Sequence, residues 1–203
     1  MTTEEAETLS HKERLLRHGT KLFYAQGFHG TSVDAILASA GVPKGSFYHH
    51  FGSKDVFGQA VLDRYMQFQT DTFRKWAAKQ GVPAGDKLAG YFKELSQIFV
   101  KSGYQRACLT GKFSTEVSAT SDLFRQQLRA QIQSWKARIT EFLRQGQDDG
   151  EVRRDRAPEE LADAVLSLIQ GAFVIALSTR DKRTLATVGT TLKMLVEPPG
   201  DAA

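Results

Sequence analysis

Residues 31–55 read TSVDAILASAGVPKGSFYHHFGSKD, and this stretch decides the fold. Thr31-x-x-Asp34 is a capping signal that opens a short helix to about Ala40, with Val33, Ile36 and Leu37 turned inward. Gly41-Val42-Pro43 is a tight break. Lys44 to Phe51 is a second short helix, and Ser53 caps a long one that follows, with Asp55 complementing the dipole in its first turn. Two short helices across a glycine-containing turn have the geometry of a helix-turn-helix. A helix of about two turns is not stable alone, so its neighbours must hold it. The surface it offers is Lys44, Ser46, Tyr48 and His49. Cations, hydroxyls and hydrogen-bonding rings are groups that meet phosphates and base edges. The backbone N–H groups at a helix start suit a phosphate. Lys54 puts a cation at a helix N-terminus, against the dipole, which a phosphate beside it would explain.

Working outward, nearly every segment has the helical period, and alternation of strand length is absent. Upstream, Ser10-x-x-Glu13 is a capping box for a helix to about Gln26, with Leu15, Leu16, Leu22 and Phe23 on its apolar face and Gly19 allowing close approach. Downstream, the long fourth helix runs to about Lys79 and Gly81-Val82-Pro83-Ala84-Gly85 breaks the chain. Helices follow over about 86–101, 106–118 around Cys108, and 121–147. Pro158, with Glu159 and Glu160, opens the next, which is apolar nearly all round from Ala164 to Leu177. The last, about 181–196, carries Leu185, Val188, Leu192 and Leu195 at helical spacing. The fold class is all-α: a three-helix N-terminal domain over 10–55 and a larger helical domain over 56–197, with residues 1–9 and 198–203 expected to be disordered.

Composition narrows the function. Of 203 residues, 41% are hydrophobic and 25% charged, which is ordinary for a globular protein and excludes collagen-like or largely disordered chains. The longest apolar stretch, Ala164–Leu177, is broken by Gln170 and Gly171; it is expected to be too short to cross a bilayer, so no membrane partner is expected. The N-terminus is acidic and polar, unlike a signal peptide. Cys108 is the single cysteine, so no internal disulfide can form, and a reducing cytoplasmic setting is the simplest reading. The net charge of +4 permits a polyanion partner without demanding one. Residues 8–55 hold Lys12, Arg14, Arg17, Lys21, Lys44 and Lys54 against Glu13, Asp34 and Asp55, together with all five histidines; the acidic tip Glu4, Glu5 and Glu7 precedes them and is expected to fray. His49 and His50 are not a metal pair, because neighbours on a helix point about 100° apart, and no metal or cofactor is expected. Metalloprotease, nucleophile-elbow, dinucleotide and Walker motifs are all missing, so the chain is not expected to be an enzyme.

The segments LFYAQGFHGTSVDAIL, GVPKGSFYHHF and SKD, in that order, resemble the DNA-binding signature of the TetR (AcrR-like) family of transcriptional repressors. The resemblance is strong over residues 10–60. Beyond them it extends only to an all-helical layout and the phrase GEVRRDRAPEELAD before the penultimate helix. It implies that Lys44, Gly45, Ser46, Tyr48, His49 and Lys54 contact DNA, that Thr31 and Ser32 meet the backbone at the N-terminus of the second helix, and that Phe47 and Phe51 pack. It also implies a homodimer on a palindromic double-stranded operator, released by a small-molecule effector held in the C-terminal domain.

In that domain the 164–177 helix and the last helix would pair with a second copy as a four-helix bundle, through Leu168, Ala172, Ile175, Leu185, Val188, Leu192 and Leu195. The pattern alone fits a monomer's central core helix as well. Phe92, Phe99, Tyr104, Phe113, Trp135 and Phe173 fall on inward faces and are candidate pocket lining, or simply core. The stretch ACLTGKFSTE around Cys108 resembles a subgroup controlling reductase and detoxification genes, including the N-ethylmaleimide reductase repressor and acrylate-responsive regulators, in which this cysteine is implicated in sensing electrophiles or oxidants. A thiol at a helix start, near Arg106 and Lys112, is in a setting that favours thiolate chemistry. Ala107 replaces the glycine common in relatives, and the 164–177 helix offers no lysine to the thiol. Three readings stay open: a sensor reacting at Cys108, a non-covalent sensor of a hydrophobic or aromatic compound with Cys108 inert, and an architectural DNA-binding protein without a ligand.

Overall fold

The structure is a computed structural model that describes residues 9–199. The expectations made for residues 1–8 and 200–203 lie outside the described residues. Among these residues the chain is helical throughout: α1 His11–Gln26, α2 Val33–Ala40, α3 Lys44–Phe51, α4 Lys54–Ala77, α5 Ala84–Lys101, α6 Leu109–Val117, α7 Asp122–Asp148, α8 Pro158–Thr179 and α9 Lys182–Val196. The chain forms two compact units, Met1–Gln67 with Leu109–Leu128, and Phe68–Cys108 with Arg129–Ala203. It passes between them within α4, within α7 and at the Cys108–Leu109 peptide. This division differs from the one drawn at residue 55, because α6 supplies apolar surface to the first unit's core, which no local signal reveals.

Local chemistry sets the helix ends. Ser10 Oγ accepts from Glu13 N at 3.2 Å, but the Glu13 carboxylate pairs with Arg64, so the return arm of the capping box is not made. The cap of α2 is Ser32, which accepts from Ala35 N at 3.1 Å; Thr31 is buried and donates its hydroxyl to Gly27 O at 2.7 Å. Ser53 Oγ accepts from Val56 N at 3.2 Å at the start of α4. α5 begins at Ala84, inside the expected breaker: Pro83 pre-sets its first turn, and the Glu151 carboxylate accepts from Ala84 N at 2.8 Å.

In the first unit the core is a run of rings. Phe23 meets Phe113 at 5.4 Å between centroids, Phe28 meets Phe124 at 4.9 Å, and Phe57 meets Phe47 at 5.2 Å and Phe51 at 4.9 Å. α1 fits against this core through Gly19, where a Cβ would stand 2.3 Å from Phe57 Cζ. In the second unit Leu88, Tyr91, Phe92, Leu95 and Phe99 of α5 are buried, as the apolar stripe predicted. α8 buries Leu161, Val165, Ile169, Phe173 and Ala176. At 22 residues α8 is long and apolar enough to cross a membrane by length and composition, which corrects the expectation drawn from the shorter apolar run. Its inward face lies in the unit's core and its first turns carry Glu159, Glu160 and Asp163, the pattern of a core helix.

Filling the Gly19 notch tests this packing. Gly19→Val should lower stability by about 1–3 kcal/mol through overpacking, read as a lower urea midpoint. An unchanged midpoint would mean that the Phe57 ring moves aside freely.

Candidate functional site

α3 is anchored by Phe47 and Phe51, both buried, and turns its other face outward. Lys44, Gly45, Tyr48 and His49 are exposed, Tyr48 by 46%. No atom outside its own helix turn lies within 4 Å of a Cβ built on Gly45, so a backbone or a phosphate can approach closely there. Lys44 Nζ stands 3.4 Å from Asp34 Oδ1 in an exposed ion pair, an interaction worth little in water and easily exchanged for a phosphate. Ser46 shares a 3.0 Å hydrogen bond with His11 Nδ1 on α1. Ser32 is exposed beside the α2 N-terminus. Of the eight residues predicted to contact DNA, Ser32, Lys44, Gly45, Tyr48 and His49 are exposed, and Ser46 and Lys54 are half-buried. The exception is Thr31, whose hydroxyl is buried and committed to Gly27 O.

Lys54 is half-buried, with Nζ 4.4 Å from the Phe28 ring centroid. Burial pushes its ammonium below the usual lysine range, opposed by Asp55 and Glu116. It braces the turn after α1 as well as standing at the start of α4.

Three anchors of this surface had no local sequence signal. Arg14 Nη2 donates to Ala40 O at 2.7 Å and Gly41 O at 3.0 Å, closing the C-terminus of α2 with a cation where the dipole favours one. His18 Nδ1 shares a 2.8 Å hydrogen bond with Ser39 Oγ. Burial, reinforced by Lys21, Arg17 and Arg14, holds His18 below the usual histidine range. Most consequential is Glu116, near the end of α6. Its carboxylate accepts from Phe28 N at 2.9 Å and His29 N at 2.6 Å. A side chain on Gly27 would stand 2.6 Å from the same carboxylate, and Gly27 has φ of +78°, so only glycine fits there.

In the second unit Phe92, Phe99 and Phe173 stack edge to face or tilted at 5.3–5.6 Å, with Tyr104 at 5.2 Å from Phe99. Trp135 is buried and acts on Tyr91, whose hydroxyl donates to Gln69 Oε1 at 2.9 Å. Burial pushes the Tyr91 phenol far up, and Cys108 is the next group acting on it. Phe113 does not join this set. It is a core ring of the first unit, because α6 packs there. Cys108 is 8% exposed, and its Sγ stands 3.1 Å from Gln170 Nε2 on α8. Of the basic residues expected near the thiol, Arg106 is exposed, and Lys112 donates instead to Tyr24 O at 3.0 Å. The amide of Gln170, in the helix that offered no lysine, meets the thiol from a position remote in sequence.

The candidate interface residues divide. Ala172, Leu185 and Leu192 are buried within their own unit, so they are core. Leu168, Val188 and Leu195 are half-buried, and Ile175 is 51% exposed. Val174, at 64%, and Met194, at 67%, extend the same apolar surface and were missed, because helical period identifies an apolar face without saying whether the chain's own core covers it.

Residues 15–61 match the family described as bacterial regulatory proteins, tetR family, and residues 84–192 match the tetracyclin repressor-like C-terminal domain. The chain is 34% identical over 174 residues to the HTH-type transcriptional repressor DhaR of Mycobacterium sp. strain GP1, covering 86% of each chain. It is 32% identical to the transcriptional regulator AcuR of Cereibacter sphaeroides, over 83% of this chain and 77% of that one. The crystal structure of reduced NemR from E. coli superposes with a TM-score of 0.84 at 28% identity, covering 94% of this chain and 98% of that chain.

Glu116→Ala removes the acceptor of two backbone amides, the part-buried Phe28 N–H and the exposed His29 N–H. It should destabilise the first unit by about 2 kcal/mol and speed hydrogen exchange at Phe28 and His29 specifically. Exchange at those amides that matches wild type would remove Glu116 from the account of this surface.

Proposed function

Because the chain belongs to the tetR family of bacterial regulatory proteins, a family of DNA-binding transcriptional regulators and not of enzymes, we propose that it is a cytoplasmic homodimeric repressor released from a palindromic operator by a small effector. The observation that carries the reading is the outward face of α3, with Lys44, Gly45, Tyr48 and His49 exposed on a helix whose other side is locked into a ring core. Such a face enters a major groove, with the helix N-terminus on a phosphate and side chains on base edges. Dimerisation through the open apolar face of α8 and α9, around Ile175, Val174 and Met194, would set two such helices about one turn of DNA apart.

For the effector, we favour an electrophile that adds at Cys108. The thiol sulfur accepts a hydrogen bond from Gln170 Nε2, which fixes its orientation for attack. Thiolate sulfur adds to the β-carbon of an unsaturated carbonyl, and water supplies the proton to the α-carbon. Cys108 is also the residue at which the chain leaves the second unit, and α6 starts at the next position and carries Glu116. A bulky adduct at that join disturbs α6 through the chain itself, and with it the amides that Glu116 holds. The burial of Cys108 favours a second reading, in which a non-covalent hydrophobic ligand lodges among Phe92, Phe99 and Phe173 and the thiol stays inert.

Two measurements test these assignments. Lys44→Ala should weaken binding to the DNA upstream of the protein's own gene by about 1–2 kcal/mol, with a shallower salt dependence by about one counterion; unchanged affinity and slope would remove α3 from the DNA. Acrolein under controlled thiol should release wild type but not Cys108→Ser in a gel shift. An identical response of the two proteins would assign the effector to the non-covalent site.

A further inference from the structure

α5 and α9 pack side by side in the second unit and leave an open groove of about 600 Å³ between them. Its floor is apolar, formed by Phe92, Val100, Leu185, Ala186 and Gly189. Four lysines stand around it: Lys93, Lys101, Lys182 and Lys193. Their charges are not evenly answered. Lys193 pairs with Asp86 at 2.7 Å and lies 3.6 Å from Glu197, so that end of the groove is neutralised. Among the described residues no carboxylate pairs with Lys93, Lys101 or Lys182. Lys101 closes α5 and Lys182 opens α9, so the opposite end carries two exposed, unanswered cations. Lys182 is moreover a cation at a helix N-terminus, where the dipole disfavours it. The one acid nearby in sequence, Asp181, is committed to the Arg183 amide and guanidinium. Ser96, which also lines the groove, has a buried hydroxyl with no hydrogen-bond partner among the described residues.

An apolar trough with unanswered positive charge at one end and neutral polarity at the other matches an elongated molecule with one anionic head. We infer that this groove binds a straight-chain fatty acid, its carboxylate between Lys101 and Lys182 and its chain along the floor toward the Asp86–Lys193 pair. The volume lies within the range of about 300–1,000 Å³ that small-molecule sites occupy. From Lys182 to Lys193 the groove follows about 17 Å of helix at 1.5 Å per residue, room for a medium chain. The residues that α9 gives to the groove centre on Leu185, Ala186 and Gly189, away from Val188 and Leu195, with Thr190 bordering Met194, one turn further on, at the edge of the proposed dimer face. The groove is separate from Cys108, and neither its success nor its failure bears on operator release by electrophiles.

The test is equilibrium dialysis of the full chain with labelled laurate, with dodecanol and dodecyltrimethylammonium as comparison probes. Laurate should bind saturably and at least about tenfold more tightly than either, the factor that one charge-assisted contact supplies. Lys101→Gln with Lys182→Gln, both exposed and without a partner among the described residues, should weaken laurate by about tenfold or more and leave dodecanol unchanged. Ala186→Phe, which fills the floor, should abolish binding of both. Equal binding of laurate and dodecanol, or wild-type laurate affinity in the lysine double variant, would overturn the assignment. So would laurate binding that survives Ala186→Phe, or a changed sedimentation coefficient for that variant, which would make the groove an interface between copies of the chain.

Discussion

The recognition surface depends on α3, a helix of eight residues that water would melt. Two rings prevent this. Phe47 and Phe51 lie against Phe57, and Phe57 in turn fills the notch at Gly19. Burying a ring is worth about 1.5–3 kcal/mol, so the two together outweigh what so short a helix lacks in its own hydrogen bonds. The consequence is functional. With its stability supplied from one side, α3 needs no apolar residue on the other, and that side can be given wholly to lysine, glycine, serine, tyrosine and histidine.

The aromatic core that steadies α3 is completed by a distant part of the chain. Phe113 and Phe124 join it, and Glu116, between them, holds the backbone at Phe28 and His29. A carboxylate on two backbone amides is a strong acceptor, and Lys54 over Phe28 adds a cation to the same turn. The first unit is thus built from two separated stretches, and the second stretch begins one residue after the only thiol. Cys108 is joined to the start of α6 by a single peptide bond.

Much of this was legible in the sequence. Helix positions are set by local chemistry, and capping serines, glycines and prolines marked them: α3 falls on Lys44–Phe51 as predicted, and Pro158 opens α8. The outward residues of α3 followed from the same reading. What could not be read depends on contacts between remote positions. Nothing within a few residues of Glu116 announces its partners at Phe28 and His29. Thr31 and Ser32 are both good caps, and only packing buries the first and exposes the second. Phe113 and Phe173 look alike as inward-facing rings, yet they belong to different units. Leu192 and Ile175 both lie on apolar stripes, but one is covered by its own chain and the other is open, a difference that period cannot encode.

The most direct measurement is hydroxyl-radical footprinting of the protein on the DNA upstream of its own gene. Two symmetric protected segments, centred about one helical turn apart or a multiple of it, each losing protection in Lys44→Ala, are the expected result. A single continuous footprint indifferent to Lys44, or no footprint at any saturating concentration, would contradict a paired reading of the major groove by α3.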